Sequence, residues 1–376
     1  MPDDKAGMTC AGVGVDYDAM DPFKRACQLA GLGTAGNITR IAGGEFQEFE
    51  PSRGESVYLI EAAKSYVAFV IEGLGTKNLV ADAMYELNGG RDSYYDHIAQ
   101  DTVAMIVNDM ITMGGLPLSV AMHLAVGNSD WFKDEKRSNE LISGWKTACD
   151  LSRCTWGCGE TPTLRDVIIP GTVELSGAAV GFVKPKDRLV QPKNIVAGDA
   201  IVIIGSSGIH ANGLTMAREI AKELDNGFLT ELSDGRSYGD ALLDPTHIYV
   251  GLVEDCLNRG VDIHYLVNIT GHGWRKLMRA PQSFHYVITS VPEPQPVFRF
   301  IKEHGRVQTG EMYGYFNMGA GFAVYVSPDD VASVLVVASE NNLTALNAGT
   351  IIEAEDKKVI IHPVGLQYDG ETLAVR

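Results

Sequence analysis

Strands that run through glycine-rich loops into helices, in a chain too long for one hydrophobic core, predict an α/β (α+β) protein of two domains. The clearest unit is Asp199–Ile204, a fully apolar strand, followed by the loop Gly205–Gly213 (GSSGIHANG) and the helix Leu214–Leu224. Length points the same way: the chain has 376 residues, 45% of them apolar, and single cores rarely grow past ~250–300 residues. Between the halves, the stretch from Lys184 to Gly198 turns rich in Lys, Pro and Asp, which marks a boundary. The expected divisions are a lead-in arm over 1–55, one domain over 56–190 and a second over 191–376.

Composition narrows the function. With 31 basic and 48 acidic residues the net charge is −17, which argues against nucleic acid or an anionic membrane as partner. No apolar run approaches the ~18 residues a membrane span needs. The six cysteines form no CxxC pair, and MPDDKAGMTC has no basic region followed by an apolar one, so the expectation is a reduced, cytoplasmic protein. Zinc is not expected, because Cys149, Cys154 and Cys158 have no histidine at ligand spacing.

The first stretch, Ala11–Arg25, sets Asp16, Asp18 and Asp21 among glycines before a helix that Pro22 can open. It reads as a polar arm, closure over a ligand being the other reading. Gly31–Gly36 (GLGTAG) matches GxGxxG, but a helical pattern precedes it and the β-favouring Asn37–Ile41 follows, the reverse of a dinucleotide fingerprint. Gly31 reads instead as a helix C-cap.

Ser56–Ile71 reads as two strands that lead into IEGLGTKNLVAD, where Glu72, Gly73, Gly75, Thr76 and Lys77 fall within six residues. A strand ending in such a loop brings backbone N–H groups and a cation to one point, as a polyphosphate requires. The Walker spacing is absent, and a plain glycine turn with a solvated lysine is equally compatible. Asp101–Met113 reads as one helix, capped by Asp101 and Gly114. It is apolar on every face and therefore buried, leaving Asp109 in apolar surroundings where an unpaired carboxylate is costly. Asp101 and Asn108, two turns apart, project from nearly one side, with Asp109 about 80° away. Asp101 is either a cap or a ligand; Asp109 either meets an arginine or, with Asp101, a shared Mg²⁺.

Leu118–Val126 reads as a strand and Asn139–Asp150 as an outer amphipathic helix. Trp156–Thr161 (WGCGET) offers Glu160 as a metal or nucleotide group, or as a turn residue. Val167–Val183 reads as strand, turn and strand. In the second half, His210 sits in an anion cradle, either as a structural residue of the loop or as an acid, base or phosphate donor. Val267–Arg275 (VNITGHGWR) repeats the device, with a helix beginning near Trp274 beside Arg275 and Lys276. Asp244–Tyr249 looks like a helix start with Pro at N1, and Glu311–Gly321 like loop and strand lining a cleft.

Taken together, GLGTK (Gly73–Lys77), DTVAMIVNDM (Asp101–Met110), GCGET (Gly157–Thr161), GSSGIHANG (Gly205–Gly213), LLDPTHIYV (Leu242–Val250), ITGHGW (Ile269–Trp274) and MYGYFNMGAG (Met312–Gly321) resemble the aminoimidazole ribonucleotide synthetases, also called phosphoribosylformylglycinamidine cyclo-ligases. The resemblance implies a two-domain fold whose N-terminal domains pair in a homodimer, with an ATP site near the shared sheet. It also implies a phosphorylated ribonucleotide as small-molecule substrate, whose formyl-amide oxygen ATP activates before ring closure. Under it, Glu72, Gly73, Gly75, Thr76, Lys77, Asp101, Asn108, Glu160 and Thr161 hold the nucleotide. Glu72, Asp101, Asp109 and Glu160 hold Mg²⁺, and His210, Lys77 and Asp109 are catalytic. Ser206, Ser207, His210, Asn212, Gly213, Thr270, Gly271, His272 and Gly273 bind the substrate.

The chain departs from the family at Glu72, where the family has Asp, at Cys158 and His272, where it has Gly, and before the first nucleotide strand, where its glycine-rich stretch shrinks to Gly43–Gly44. Other readings are another ATP-using relative, such as a small-metabolite kinase or a selenophosphate synthetase, and a non-catalytic nucleotide-binding paralogue. The selenophosphate reading is weakened because no Lys follows Cys10 before Lys24.

Overall fold

A computed structural model describes residues 7–373, without the side chains of residues 17–19 and 41–42. The side chain of Asp18 and the N-terminal MPDDKA therefore lie outside what is described. Two mixed sheets organise the chain. The first contains β1 (Gln47–Glu48), β2 (Tyr58–Glu61), β3 (Tyr66–Gly73), β4 (Leu116–Val126), β5 (Thr155–Glu160) and β6 (Val173–Val183) in the order β1-β2-β3-β6-β4-β5. Only β4 and β5 run parallel within it. The second contains β7 (Ala200–Gly205), β8 (Ile263–Asn268), β9 (Phe284–Ile288), β10 (Ala320–Val326), β11 (Ala345–Glu353), β12 (Lys358–Ile361) and β13 (Leu366–Asp369) in the order β13-β12-β9-β11-β7-β10-β8. With helices packed around both sheets, this is an α/β fold.

The helices are α1 (Tyr17–Leu32), α2 (Asn78–Leu87), α3 (Tyr95–Met110), α4 (Glu135–Leu151), α5 (Leu214–Glu223), α6 (Tyr238–Leu242), α7 (Val250–Asn258), α8 (Pro296–His304), α9 (Thr309–Tyr315) and α10 (Val331–Glu340). The central one is α3. It packs on β3, β6 and α4, and every residue from Asp101 to Met110 is buried, as its all-round apolar pattern requires. Along β3 the two-residue period turns Tyr66, Ala68 and Val70 inward and leaves Phe69 and Ile71 exposed. Glu72 continues the inward row, at the end of the strand that faces α3.

Several expectations need correction. Asp101 caps nothing: α3 begins six residues earlier, with Asp96 in its first turn, where a carboxylate suits the helix dipole. Gly114 does end the run, at φ +78°. Pro22 lies inside α1 rather than opening it, and α1 runs one residue past Gly31. Asn37–Ile41 is not extended; it lies in a 3₁₀ segment, Ala35–Gly44, where the Thr39 hydroxyl donates back to the Gly36 carbonyl at 2.8 Å, a local bond that competes with strand pairing. Residues 167–172 form no strand, since β5 takes the free edge of β4 and only Val173–Val183 pairs. Glu311–Gly321 begins as helix α9 before the loop into β10.

Asp244–Tyr249 forms no helix either, because its backbone is claimed by α3. Gln100 donates to the Thr246 carbonyl at 2.9 Å, and the Asn108 amide donates to the His247 carbonyl at 2.8 Å while accepting the Tyr249 N–H at 2.9 Å. Asp101 accepts the Thr246 N–H at 2.8 Å. These bonds seat the second half of the chain on the buried helix of the first.

Candidate active site

The strand β3 and the helix α3 deliver Glu72 and Asp109 to the same point. The two carboxyl groups hydrogen-bond to one another, and burial followed by the charge of Asp109 pushes the Glu72 carboxyl up to about 8. Asp109 also accepts from the Asn268 amide at 2.7 Å, which ties α3 to the end of β8. A cavity of about 470 Å³ opens over this pair, lined by Glu72, Met105 and Asp109 from the first half and by Asn212, Thr270, Gly271, His272, Lys276 and Arg279 from the second. Its remaining wall comes from Phe23, Lys24, Cys27 and Gln28 of α1, from Glu55 and Ser56, and from Leu373. The lining thus sets the carboxyl groups of Glu55, Glu72 and Asp109 among the cations Lys24, Lys276 and Arg279.

The loop after β8 brings His272 and Lys276 to this lining. His272 holds a left-handed backbone at φ +69°, and Gly273, at φ +52°, lies so close to α9 that a Cβ there would stand 2.3 Å from the Tyr313 carbonyl oxygen. That contact fixes the loop against α9 and aims residues 270–276 at the cavity. The Lys276 ammonium donates to the Thr270 hydroxyl and to the Asn268 carbonyl; burial brings its pKa down to about 8. Burial and the nearby cations, Lys276 first, bring the His272 imidazole down to about 3, so it is neutral at physiological pH.

A second cluster lies deeper. Lys77 is fully buried, with its ammonium 2.8 Å from Asp101 Oδ2 and donating to the Asp244 carbonyl at 2.7 Å. Thr246 donates to Asp101 through both its backbone and its hydroxyl. His210, 3% exposed and at φ +60°, accepts the Ser207 N–H on Nε2 at 3.2 Å. Burial, followed by the charges of His247 and Lys77, holds its pKa well below the ordinary 6.5.

The remaining expected residues divide between these places and a third. Asn212, Thr270, Gly271 and His272 line the cavity, and Gly73 follows Glu72 on β3. Gly75 and Thr76 stand between Glu72 and the buried Lys77, and Gly213 caps the start of α5 at φ +84°. Ser206 and Ser207 are engaged in holding their loop, donating to Asn317 Oδ1 at 3.0 Å and to the Pro245 carbonyl at 2.6 Å. Asn108 is engaged with residues 247 and 249, as above. Glu160 and Thr161 are exposed at the end of β5, where Glu160 lines a groove of about 560 Å³ on the outer face of the first sheet with His123, Glu174 and Ile71.

The four carboxylates expected at one metal are thus not gathered. Asp101 is taken by Lys77 and Thr246, and Glu160 lies on another face. Among the described residues no group of three or more His, Cys, Asp and Glu is placed to share an ion. Glu72 and Asp109 alone fit a divalent cation: two carboxylates pressed together until one keeps its proton are relieved by a cation, and Mg²⁺ typically takes one or two carboxylates and completes its shell with water and phosphate oxygens. Residues not foreseen are Lys24, Gln28, Arg279, Asn268, Thr246 and Asn317. Only the DPTHIYV and FNMG motifs signalled the last two.

Residues 54–183 match the N-terminal domain of AIR synthase related proteins and residues 196–362 their C-terminal domain. The phosphoribosylformylglycinamidine cyclo-ligase of Methanothermobacter thermautotrophicus is 35% identical over 289 residues, 76% of this chain and 81% of the relative. The chain belongs to the phosphoribosylformylglycinamidine cyclo-ligase family. This is a family of ligases of purine biosynthesis, so the cavity is read as that of an enzyme. Among solved structures, a HypE–HypF complex aligns with a TM-score of 0.59 at 14% identity, covering 89% of this chain and 97% of that one. A ThiL enzyme complexed with AMPPCP and TMP aligns at 0.55 and 14% identity, covering 88% and 93%. At these identities the likeness concerns the fold. No helix among the described residues is long and apolar enough to cross a membrane.

Proposed function

We propose that this protein closes the imidazole ring of formylglycinamidine ribonucleotide at the expense of ATP, in the cavity between β3, α3 and the loop after β8. The observation that carries the reading is the meeting, in that one cavity, of the carboxyl groups of Glu72 and Asp109 with the Thr270–His272 loop and with Lys276, whose charge bears on both carboxyls. The acidic pair would hold Mg²⁺, which supplies charge neutralisation to the triphosphate. Catalysis of phosphoryl transfer is mostly positioning and electrostatics. The γ-phosphoryl passes to the formyl-amide oxygen, the substrate's amine nitrogen attacks the activated carbon, the ring closes, and phosphate departs with a proton lost from nitrogen.

The residues have distinct duties in this reading. Thr270, Gly271, His272 and Gly273 receive the ribose phosphate, with neutral His272 and the Thr270 hydroxyl as hydrogen-bonding groups. Asn212 and Gly213 border the reacting end. Lys77, Asp101 and Asn108 set the position of the Asp244–Tyr249 loop, and neutral His210 holds the Ser206–Gly208 turn. Opening of that loop on binding would release Lys77 to the triphosphate.

The subunits would pair through the outer face of the first sheet, where Phe69, Ile71 and Leu118 are 48%, 69% and 55% exposed. Apolar side chains exposed together on one sheet face are the kind of surface a second copy covers. Pairing would enclose the groove at Glu160 and Thr161. A cytoplasmic setting with domains over 56–190 and 191–376 completes the proposal. Incubation with ATP, Mg²⁺ and formylglycinamidine ribonucleotide should yield aminoimidazole ribonucleotide, ADP and phosphate in equal amounts; ATP binding without turnover would sink the reading.

A further inference from the structure

Helix α1 lies against the cavity without being anchored there by an apolar core. From Met20 to Leu32 only Asp21 is buried, while Phe23 and Leu29 are 73% and 72% exposed. A helix that buries so little apolar surface gains little from packing, the usual source of helix stability in proteins. Yet one side of it, Phe23, Lys24, Cys27 and Gln28, walls the cavity, as spacing at i, i+4 and i+5 allows. The charge of Lys24 bears on both His272 and Lys276 across the opening. Lys24 thus joins Lys276 and Arg279 as a cation of a cavity that also holds the carboxyl groups of Glu55, Glu72 and Asp109, and an ammonium in such a wall is a donor for a phosphate group.

We propose that Lys24 is a ligand-binding residue of this enzyme, contacting a phosphate group of a bound ligand, and that α1 closes over the cavity when that contact forms. The proposal rests on the ring-closure reading for the identity of the ligands but not for its geometry. The phosphate belongs either to the ribonucleotide or to ATP; the contact asked of Lys24 is the same. Its ammonium, 3.7 Å from the carboxylate of the buried Asp21 in the present structure, would exchange that long ion pair for a charge-assisted bond to phosphate.

A cysteine supplies a test in the full-length protein. Cys27 is exposed and walls the cavity. Iodoacetamide labelling followed by mass spectrometry should show Cys27 protected by formylglycinamidine ribonucleotide or by Mg·ATP, each added alone, and not by potassium chloride at the same ionic strength. The protecting ligand identifies the source of the phosphate. Lys24→Gln should raise the KM for that ligand about tenfold, the loss expected of one charge-assisted bond; Lys24→Arg should retain most of the affinity, and Lys222→Gln, an exposed charge control, should change nothing. Absence of Cys27 protection by either ligand, with unchanged KM values in Lys24→Gln, would overturn the proposal. Protection of Cys27 without formation of aminoimidazole ribonucleotide would leave it standing and remove the ring-closure reading instead.

Discussion

Lys77 and Asp101 form an ion pair, 2.8 Å apart, in which both side chains are wholly removed from solvent. The pair is completed by the Asp244 carbonyl and by Thr246, so it ties the loop after β3 and the helix α3 to a segment more than 140 residues downstream. Removing one partner leaves a buried charge without its counterion. Lys77→Met should therefore cost about 3–5 kcal/mol, read as a fall in the urea midpoint. The double variant Lys77→Met/Asp101→Leu should recover part of that loss. Equal stability of the single variant and the parent would show that Lys77 is free to serve a ligand at no structural cost.

The contact of Glu72 with Asp109 has the opposite character, because two acidic groups meet and Glu72, raised to about 8, keeps its proton. Replacing Glu72 by Gln keeps the shape and fixes the neutral form, so the melting temperature should match the parent's in acid and exceed it as pH rises from 4.5, where the unfolded side chain ionises, through about 8. Affinity for Mg·ATP should fall roughly tenfold to a hundredfold, as one bond to a charged group is lost. Calorimetric titration with Mg·ATP checks this, and unchanged affinity would remove Glu72 from the metal site.

His210 sets an acid limit on stability. Its imidazole stays neutral when folded, with a pKa well below 6.5 because it is buried, whereas in the unfolded chain it gains a proton near 6.5. Below that pH the unfolded state binds more protons, so stability rises with pH, is fully present above about 6.5 and is lost as pH falls. Each such group contributes about 1.4 kcal/mol per pH unit in that range. His210→Asn, which tolerates the left-handed backbone, should flatten the acid side of the urea-denaturation profile by about one proton; an unchanged slope would place the proton uptake elsewhere, as at His247, which burial also lowers.

Gly213 links the phosphate-type loop to the FNMG segment. At φ +84° a Cβ would stand 2.2 Å from the Phe316 ring, so Gly213→Ala combines a left-handed backbone penalty with overpacking. Together these should cost about 2–4 kcal/mol, measured by denaturant titration. A loss below 1 kcal/mol would mean that Phe316 swings away freely.

Much of this protein was decided by its sequence alone. The two-residue period of β3 selects the face on which Glu72 stands, the all-round apolar pattern of α3 dictates that it is buried, and the glycines and small polar residues of Gly205–Gly213 dictate a tight loop before α5. The order of the motifs was enough to indicate the family. What the tertiary structure decided is which polar groups meet. Asp101 belongs to Lys77 and Thr246, Asp109 to Glu72 and Asn268, and Glu160 to neither, because partners far apart in the chain are chosen by how α3 packs between β3 and the Asp244–Tyr249 loop. The same long-range bonds suppressed a helix at Asp244, and the unforeseen Lys24 reached the cavity through the placement of α1. Local propensity governs short-range backbone shape, whereas the pairing of buried charges depends on distances that only the folded core sets.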